Sequence, residues 1–116
     1  MTHEPLIDRV RAALGHTPRV AERKMFGGIT FMVNRKMCIS VGSTRLMCRI
    51  DPELHDIALT RKGARTVRMK GRAYRGFVHV DKDAVKSKRA LDYWVKLCLT
   101  FNKRAKSSRA RRLTNA

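Results

Sequence analysis

Between Val20 and Ile50 the chain breaks into short runs of Ile, Val, Phe and Met, punctuated by Gly27-Gly28, Asn34-Arg35 and Gly42-Ser43. Runs this short, bounded by turn-forming residues, predict a meander of three or four antiparallel strands. The flanks have a helical period. Leu6, Ile7, Val10, Ala13 and Leu14 share one side of a helix over residues 4–14, which Gly15 can close. Asp51-Pro52 offers an N-cap and a first helical position for a short helix whose apolar face is Leu54, Ile57 and Ala58, ending at Gly63. Two strands, 65–70 and 74–80, follow through Gly71. The longest helical pattern covers residues 88–103, with Ser87 as N-cap and Ala90, Leu91, Trp94, Val95, Leu97, Cys98 and Phe101 as its stripe. Arg89, Lys96 and Lys103 recur every seven residues on another side, and Asp92 precedes Lys96 by four, a favourable spacing for an ion pair.

The expected architecture is therefore α+β in a single domain: an N-terminal helix, an antiparallel sheet of about five strands, a short middle helix, and a long C-terminal helix packed on the sheet. Residues 1–106 form the domain and 107–116 a basic disordered tail. A Gly42-Ser43 turn sets Met37 against Cys48 and Ile39 against Leu46, gathering one apolar face and turning Cys38 away from Cys48. A three-residue loop would instead oppose the two cysteines. For the first hairpin, a two-residue Asn34-Arg35 loop pairs Phe31 with Cys38, whereas a loop that includes Lys36 pairs Phe31 with Ile39 and Ile29 with Val41. The second is cleaner, and both stay open.

Several classes fall away. The longest stretch without a charged residue, Met25 to Asn34, is far shorter than the ~18 residues of a spanning helix. Glu4, Asp8, Arg9 and Arg11 interrupt any secretory leader. Cys38, Cys48 and Cys98 are an odd number, widely spaced, which fits neither a disulfide framework nor a zinc motif and suits packed thiols in the cytoplasm. No membrane, metal or cofactor is expected.

The chain also lacks a catalytic constellation. Gly71-Arg72-Ala73-Tyr74-Arg75-Gly76 has the glycine spacing of a phosphate loop, but Phe77-Val78 replaces its Lys-Ser/Thr. His3, His16, His55 and His79 have no partner at i,i+4; His55-Asp56 reads as solvated charge on a surface helix, and His79 as lying on the more polar strand face. Arg75-Gly76-Phe77 copies the start of an RNA-binding strand motif, but Val78 and His79 break it, and an aromatic content of 6% argues against a base-stacking platform. The expectation is a non-enzymatic domain.

Charge is the stronger signal. Lys and Arg number 27 against nine acids, giving +18. Arg61, Lys62, Arg65, Arg68, Lys70, Arg72 and Arg75 form one acid-free block; Lys103, Arg104, Lys106, Arg109, Arg111 and Arg112 form another and account for six of the cations. Within the first, Arg68 and Lys70 share one strand face, with Val67 and Met69 on the other. These cations are the expected nucleic-acid-binding residues, holding phosphates without reading bases, since no groove-reading motif is present. The alternative partner is a protein, either an acidic regulatory partner or a second copy in a homodimer.

Lys24-Met25-Phe26-Gly27-Gly28-Ile29-Thr30-Phe31 resembles the K-M-F-G-G-x-x-F signature of the N-terminal domain of the TfoX/Sxy family of competence regulators. The likeness continues through Asn34 to Met37, Leu46 to Pro52, Met69-Lys70-Gly71-Arg72, Gly76 to Val80, and Leu91 to Val95, covering about residues 4–105. It implies helices on an antiparallel sheet and a regulatory role. Full-length family regulators add a C-terminal domain and act with a cyclic-AMP receptor protein on DNA-uptake genes; this chain ends after the basic tail, so competence activation is not carried over. Within the signature, Lys24, Met25, Phe26, Gly27, Gly28 and Phe31 are expected to be structural, with Met25, Phe26 and Phe31 in the core and the glycines at a bend or bulge where helix and sheet approach.

Overall fold

The computed structural model describes residues 5–25 and 27–105. Helix α1 (Leu6–Leu14) is followed by strands β1 (Val20–Met25), β2 (Gly28–Val33), β3 (Lys36–Val41) and β4 (Arg45–Arg49). A 3-10 turn (Pro52–Leu54) leads into the short helix α2 (His55–Ala58), then strands β5 (Ala64–Met69) and β6 (Arg72–Asp81). A second 3-10 turn (Lys82–Val85) precedes helix α3 (Lys88–Asn102). The fold is α+β, and the sheet has six antiparallel-paired strands in the order β1-β2-β3-β4-β6-β5, one more than expected.

The helices cover one face of this sheet. From α3, Leu91, Trp94, Val95 and Cys98 are buried against Phe31, Ile39, Leu46, Cys48, Val78 and Val80, while Val10 and Leu14 of α1 complete the core. Each such side chain contributes roughly 1.5–3 kcal/mol of transfer free energy. Both expected caps are present: Asp51 accepts from the Glu53 amide and Ser87 from the Ala90 amide. Asp92, however, pairs with Lys88 one turn before it rather than with Lys96.

A bulge resolves the first hairpin. Its loop is Asn34-Arg35, both residues left-handed (φ 54° and 65°), and Val33 pairs with Lys36 and Met32 with Met37. Farther along, Phe31 pairs with Ile39 and Ile29 with Val41, so both sequence registers coexist and Cys38 is the extra residue between them. The second hairpin turns at Ser43-Thr44, one residue beyond the expected site: Gly42 donates to Arg45, Val41 pairs with Leu46 and Ile39 with Cys48. The bulge rotates Cys38 inward, so it shares the core with Cys48 and Cys98, contrary to the expected separation. All three thiols are free. A hydrogen bond with Cys98, then burial, drive the Cys38 thiol far above its ordinary pKa, and burial does the same to Cys98.

Two other expectations are corrected. Because the middle helix begins as a 3-10 turn, its phase shifts: His55 and Ala58 face inward, while Leu54 and Ile57 are exposed, Ile57 at 64%. His55 is thus a buried ring, not solvated charge. In the signature, Phe31 is fully buried, but Met25 lies on edge strand β1 and is 37% exposed; Phe26 is outside the described residues. Gly28 serves an approach between strands, not between helix and sheet, since a Cβ there would stand 2.1 Å from the Val41 carbonyl oxygen of β3.

Candidate nucleic-acid interface

Folding brings distant acids to several cations that lie in acid-free sequence. Arg65 pairs with Asp81, Arg75 with both carboxylate oxygens of Asp56, and Arg104 with Asp51 while lying over the Phe101 ring. Arg61 stacks on Tyr93, its guanidinium carbon 3.6 Å from the ring centroid. Asp8, Glu22, Asp83 and Asp92 are likewise held by cations, and the Arg11 bond pulls the Glu22 carboxyl below its ordinary pKa. Lys62, Arg68, Lys70, Arg72 and Lys103 have no acid within salt-bridge distance among the described residues. Lys106, Arg109, Arg111 and Arg112 lie outside the described residues.

Three of these cations ride on a projecting ribbon. The last pair between β4 and β6 is Arg49 with Phe77, and beyond the bulge residues 72–74 of β6 extend past β4, paired only with β5. Lys70-Gly71, both left-handed, close the ribbon, and Arg68, Lys70 and Arg72 are exposed on it. Lys70 thus sits in the turn, not on a face with Arg68. Antiparallel pairing places the Asn34-Arg35 turn, the ends of β4 and α3, and the ribbon tip at one end of the sheet. Arg19 and Arg35, which sequence reasoning missed, are exposed there. At the same end Lys36 donates to the Asn102 carbonyl, and the Asn102 amide donates to Val33 at 3.2 Å. The hairpin registers were the only sequence signal for this gathering.

The bulge beneath the ribbon is held tightly. Between Thr66–Val78 and Val67–Tyr74, β6 accommodates three extra residues, Arg75, Gly76 and Phe77. Gly76 has φ 92°, a left-handed conformation that suits glycine. Its amide donates to His55 Nδ1 at 2.9 Å, and its carbonyl accepts from Ile50 at 2.8 Å. Because Nδ1 accepts, the neutral imidazole carries its proton on Nε2, which bonds Thr66 Oγ1 at 3.1 Å. Burial, then the neighbouring Arg75 charge, lower the His55 pKa.

The second sheet face has no helix over it among the described residues. A row of cross-strand partners runs over all six strands: Arg23, Thr30, Ser40, Met47, His79 and Arg65. The buried Thr30 and Ser40 hydroxyls bond each other at 2.9 Å. Alongside, Met37, Met47 and Val67 form a small buried cluster with Met32 and Phe77. Arg49 lies between Phe77 and Phe101, 5.8 Å from each ring centroid. Burial, then the nearby Arg45 and Arg65 charges, lower the His79 pKa, which favours the neutral ring. On the opposite side of the molecule, α1 and α3 flank a groove of about 630 Å³, floored by Ala12, Ala13, Val95 and Leu99 and rimmed by Lys96 and Lys103.

A family model described as the TfoX N-terminal domain matches residues 12–102. The chain belongs to the TfoX N-terminal domain family. This is a family of regulatory domains. No curated protein and no solved structure matches the chain. The TfoX match takes in the whole sheet, α2, α3, the ribbon and the bulge at Gly76. Among the described residues no helix is long and apolar enough to cross a membrane, and no group of His, Cys, Asp or Glu is arranged to hold a metal ion.

Proposed function

We propose that this TfoX-family domain is a non-enzymatic, cytoplasmic regulator that contacts nucleic-acid phosphates through the ribbon and the cationic end of the sheet beside it. The observation that carries this reading is the uneven pairing of charge. Every described acid except Glu53 is held by a cation, and among the cations left without an acid partner Arg68, Lys70, Arg72, Arg19 and Arg35 lie along one end of the sheet. Such a surface gains affinity by releasing counterions from the phosphate backbone, independently of base sequence. Lys106, Arg109, Arg111 and Arg112, which lie outside the described residues, belong to the same proposed set of phosphate contacts.

Charge reversal in two places tests it. Arg68→Glu, Lys70→Glu and Arg72→Glu together should weaken binding to a labelled oligonucleotide more than about tenfold, since each phosphate contact adds to the counterion gain. Lys82→Glu, Lys86→Glu and Arg89→Glu change the net charge equally at the other end of the sheet and should cost far less. Equal losses would mean diffuse attraction and refute the site.

The α1–α3 groove favours a second reading, a protein partner. Its apolar floor and lysine rim suit an amphipathic helix with acidic residues spaced as Lys96 and Lys103 are, about 10 Å apart along the axis. A second copy is disfavoured, because each chain carries +18. An acidic amphipathic peptide that fails to shift the amide resonances of α1 and α3 would dismiss this reading.

A further inference from the structure

The open sheet face differs from the ribbon in one respect: it offers rings as well as cations. Phe77 and His79 are two residues apart on β6 and point to the same side, about 6.8 Å apart along the strand. Both are half-buried rather than sealed, and no helix among the described residues lies over them. Tyr74, directly opposite Val67, is on the same face toward the ribbon. Arginines flank the rings: Arg65 opposes His79, Arg72 is beside Tyr74 toward the tip, and Arg23 and Arg45 stand farther across the sheet.

The sequence Arg75-Gly76-Phe77-Val78-His79-Val80 enters here with new meaning. In RNA-binding strands of this pattern the third and fifth positions carry the rings on which bases stack. Those positions are Phe77 and His79, and the strand geometry turns both outward while Val78 and Val80 go to the core. Imidazole is itself a stacking surface for bases. The element order of this fold is different, so the likeness is one of strand chemistry alone. Six per cent aromatics is few, but three rings on one strand face are enough for two or three bases.

We infer that the open face selects single-stranded nucleic acid, with Phe77, His79 and Tyr74 stacking successive bases while Arg23, Arg45 and Arg72 hold the phosphates. This rests on the nucleic-acid reading above and adds a preference that charge alone would reverse. A duplex has the higher charge density, so a purely electrostatic surface binds it more tightly than a single strand. Paired bases are stacked on each other and cannot reach the rings. Base–ring stacking is worth roughly tenfold or more in affinity per base and is tolerant of sequence.

The test compares an oligothymidylate of about 12 nucleotides, a typical footprint, with the duplex of equal length and with the same strand carrying abasic sites. Fluorescence anisotropy should give at least about tenfold tighter binding of the single strand than of the duplex, and a similar loss on removing the bases. Phe77→Leu keeps an apolar side chain against Met37, Met47 and Val67 but removes the ring. His79→Gln and Tyr74→Leu alter half-exposed positions outside that cluster. Each should lower single-strand affinity severalfold and leave duplex binding unchanged, with thermal melts reporting that the fold persists. Equal or tighter binding of the duplex, or indifference to abasic sites, overturns the inference but leaves phosphate contact standing. No binding to any of the three overturns both.

Discussion

Replacing His55 with leucine tests whether the bulge that carries the ribbon and Phe77 is held from α2. The two side chains are similar in volume, so little cavity is created at a residue only 4% exposed. What goes is hydrogen bonding. The Gly76 amide, bonded to Nδ1 at 2.9 Å, is buried and loses its acceptor, at a cost of about 1–3 kcal/mol. The Thr66 hydroxyl, at 3.1 Å from Nε2, loses a partner worth about 0.5–1.5 kcal/mol. The variant should therefore be about 2–4 kcal/mol less stable by urea unfolding at pH 7.5, a large share of the ~5–15 kcal/mol typical of a domain. A pH signature accompanies the loss. The folded-state pKa of His55 lies below its unfolded value of 6.5, so as pH falls below that point the unfolded chain takes up the proton first. Its contribution is fully present above pH 6.5 and is lost progressively as pH falls toward the folded-state pKa. Wild-type stability should drop between pH 7 and pH 5, and the leucine variant should show a shallower drop, because only His79 among the two depressed histidines remains. A loss under about 0.5 kcal/mol, or an unaltered pH dependence, would refute the clamp.

Gly28→Ala should destabilise by about 3 kcal/mol or more, at the upper end of overpacking effects, because its Cβ would collide with the Val41 carbonyl at 2.1 Å and part β2 from β3; a change below about 1 kcal/mol in chemical denaturation contradicts that packing. Met25→Lys, although within the family signature, should alter stability by no more than about 0.5 kcal/mol, since Met25 sits exposed on an edge strand; a larger loss would show that Met25 packs in solution. The three free cysteines should resist a thiol reagent at pH 8 in the native protein and react together on unfolding; rapid labelling of one of them under native conditions would contradict their burial.

Local periodicity carried most of the fold. The stripe of α3, both caps, the four-strand meander and the paired strands after Gly63 follow from spacing and turn residues alone. Departures occur where one residue changes the phase. The extra residue at Cys38 lets the Asn34-Arg35 loop and the Phe31–Ile39 pairing coexist, which no single register allows. The 3-10 turn at Pro52–Leu54 rotates α2, so His55 enters the interior and Ile57 leaves it. The cationic site was legible in part. Arg68, Lys70 and Arg72 were visible as an acid-free block, but the capture of Arg65 by Asp81 and of Arg75 by Asp56 is a long-range outcome of strand pairing. The same pairing brings Arg19 and Arg35 to the ribbon's end of the sheet and sets Phe77 and His79 on the uncovered face.

The slope of binding against salt tests the central claim most directly. Measured for the full chain and a labelled oligonucleotide over about 50–200 mM salt, log K should fall linearly with log salt, with a slope of about −3 or steeper, as several phosphate contacts require. The Arg68→Glu, Lys70→Glu, Arg72→Glu variant should flatten that slope by about 2, at roughly 0.7–0.9 per contact. A slope near zero, or one that the triple variant leaves unchanged, would contradict phosphate contact at the ribbon.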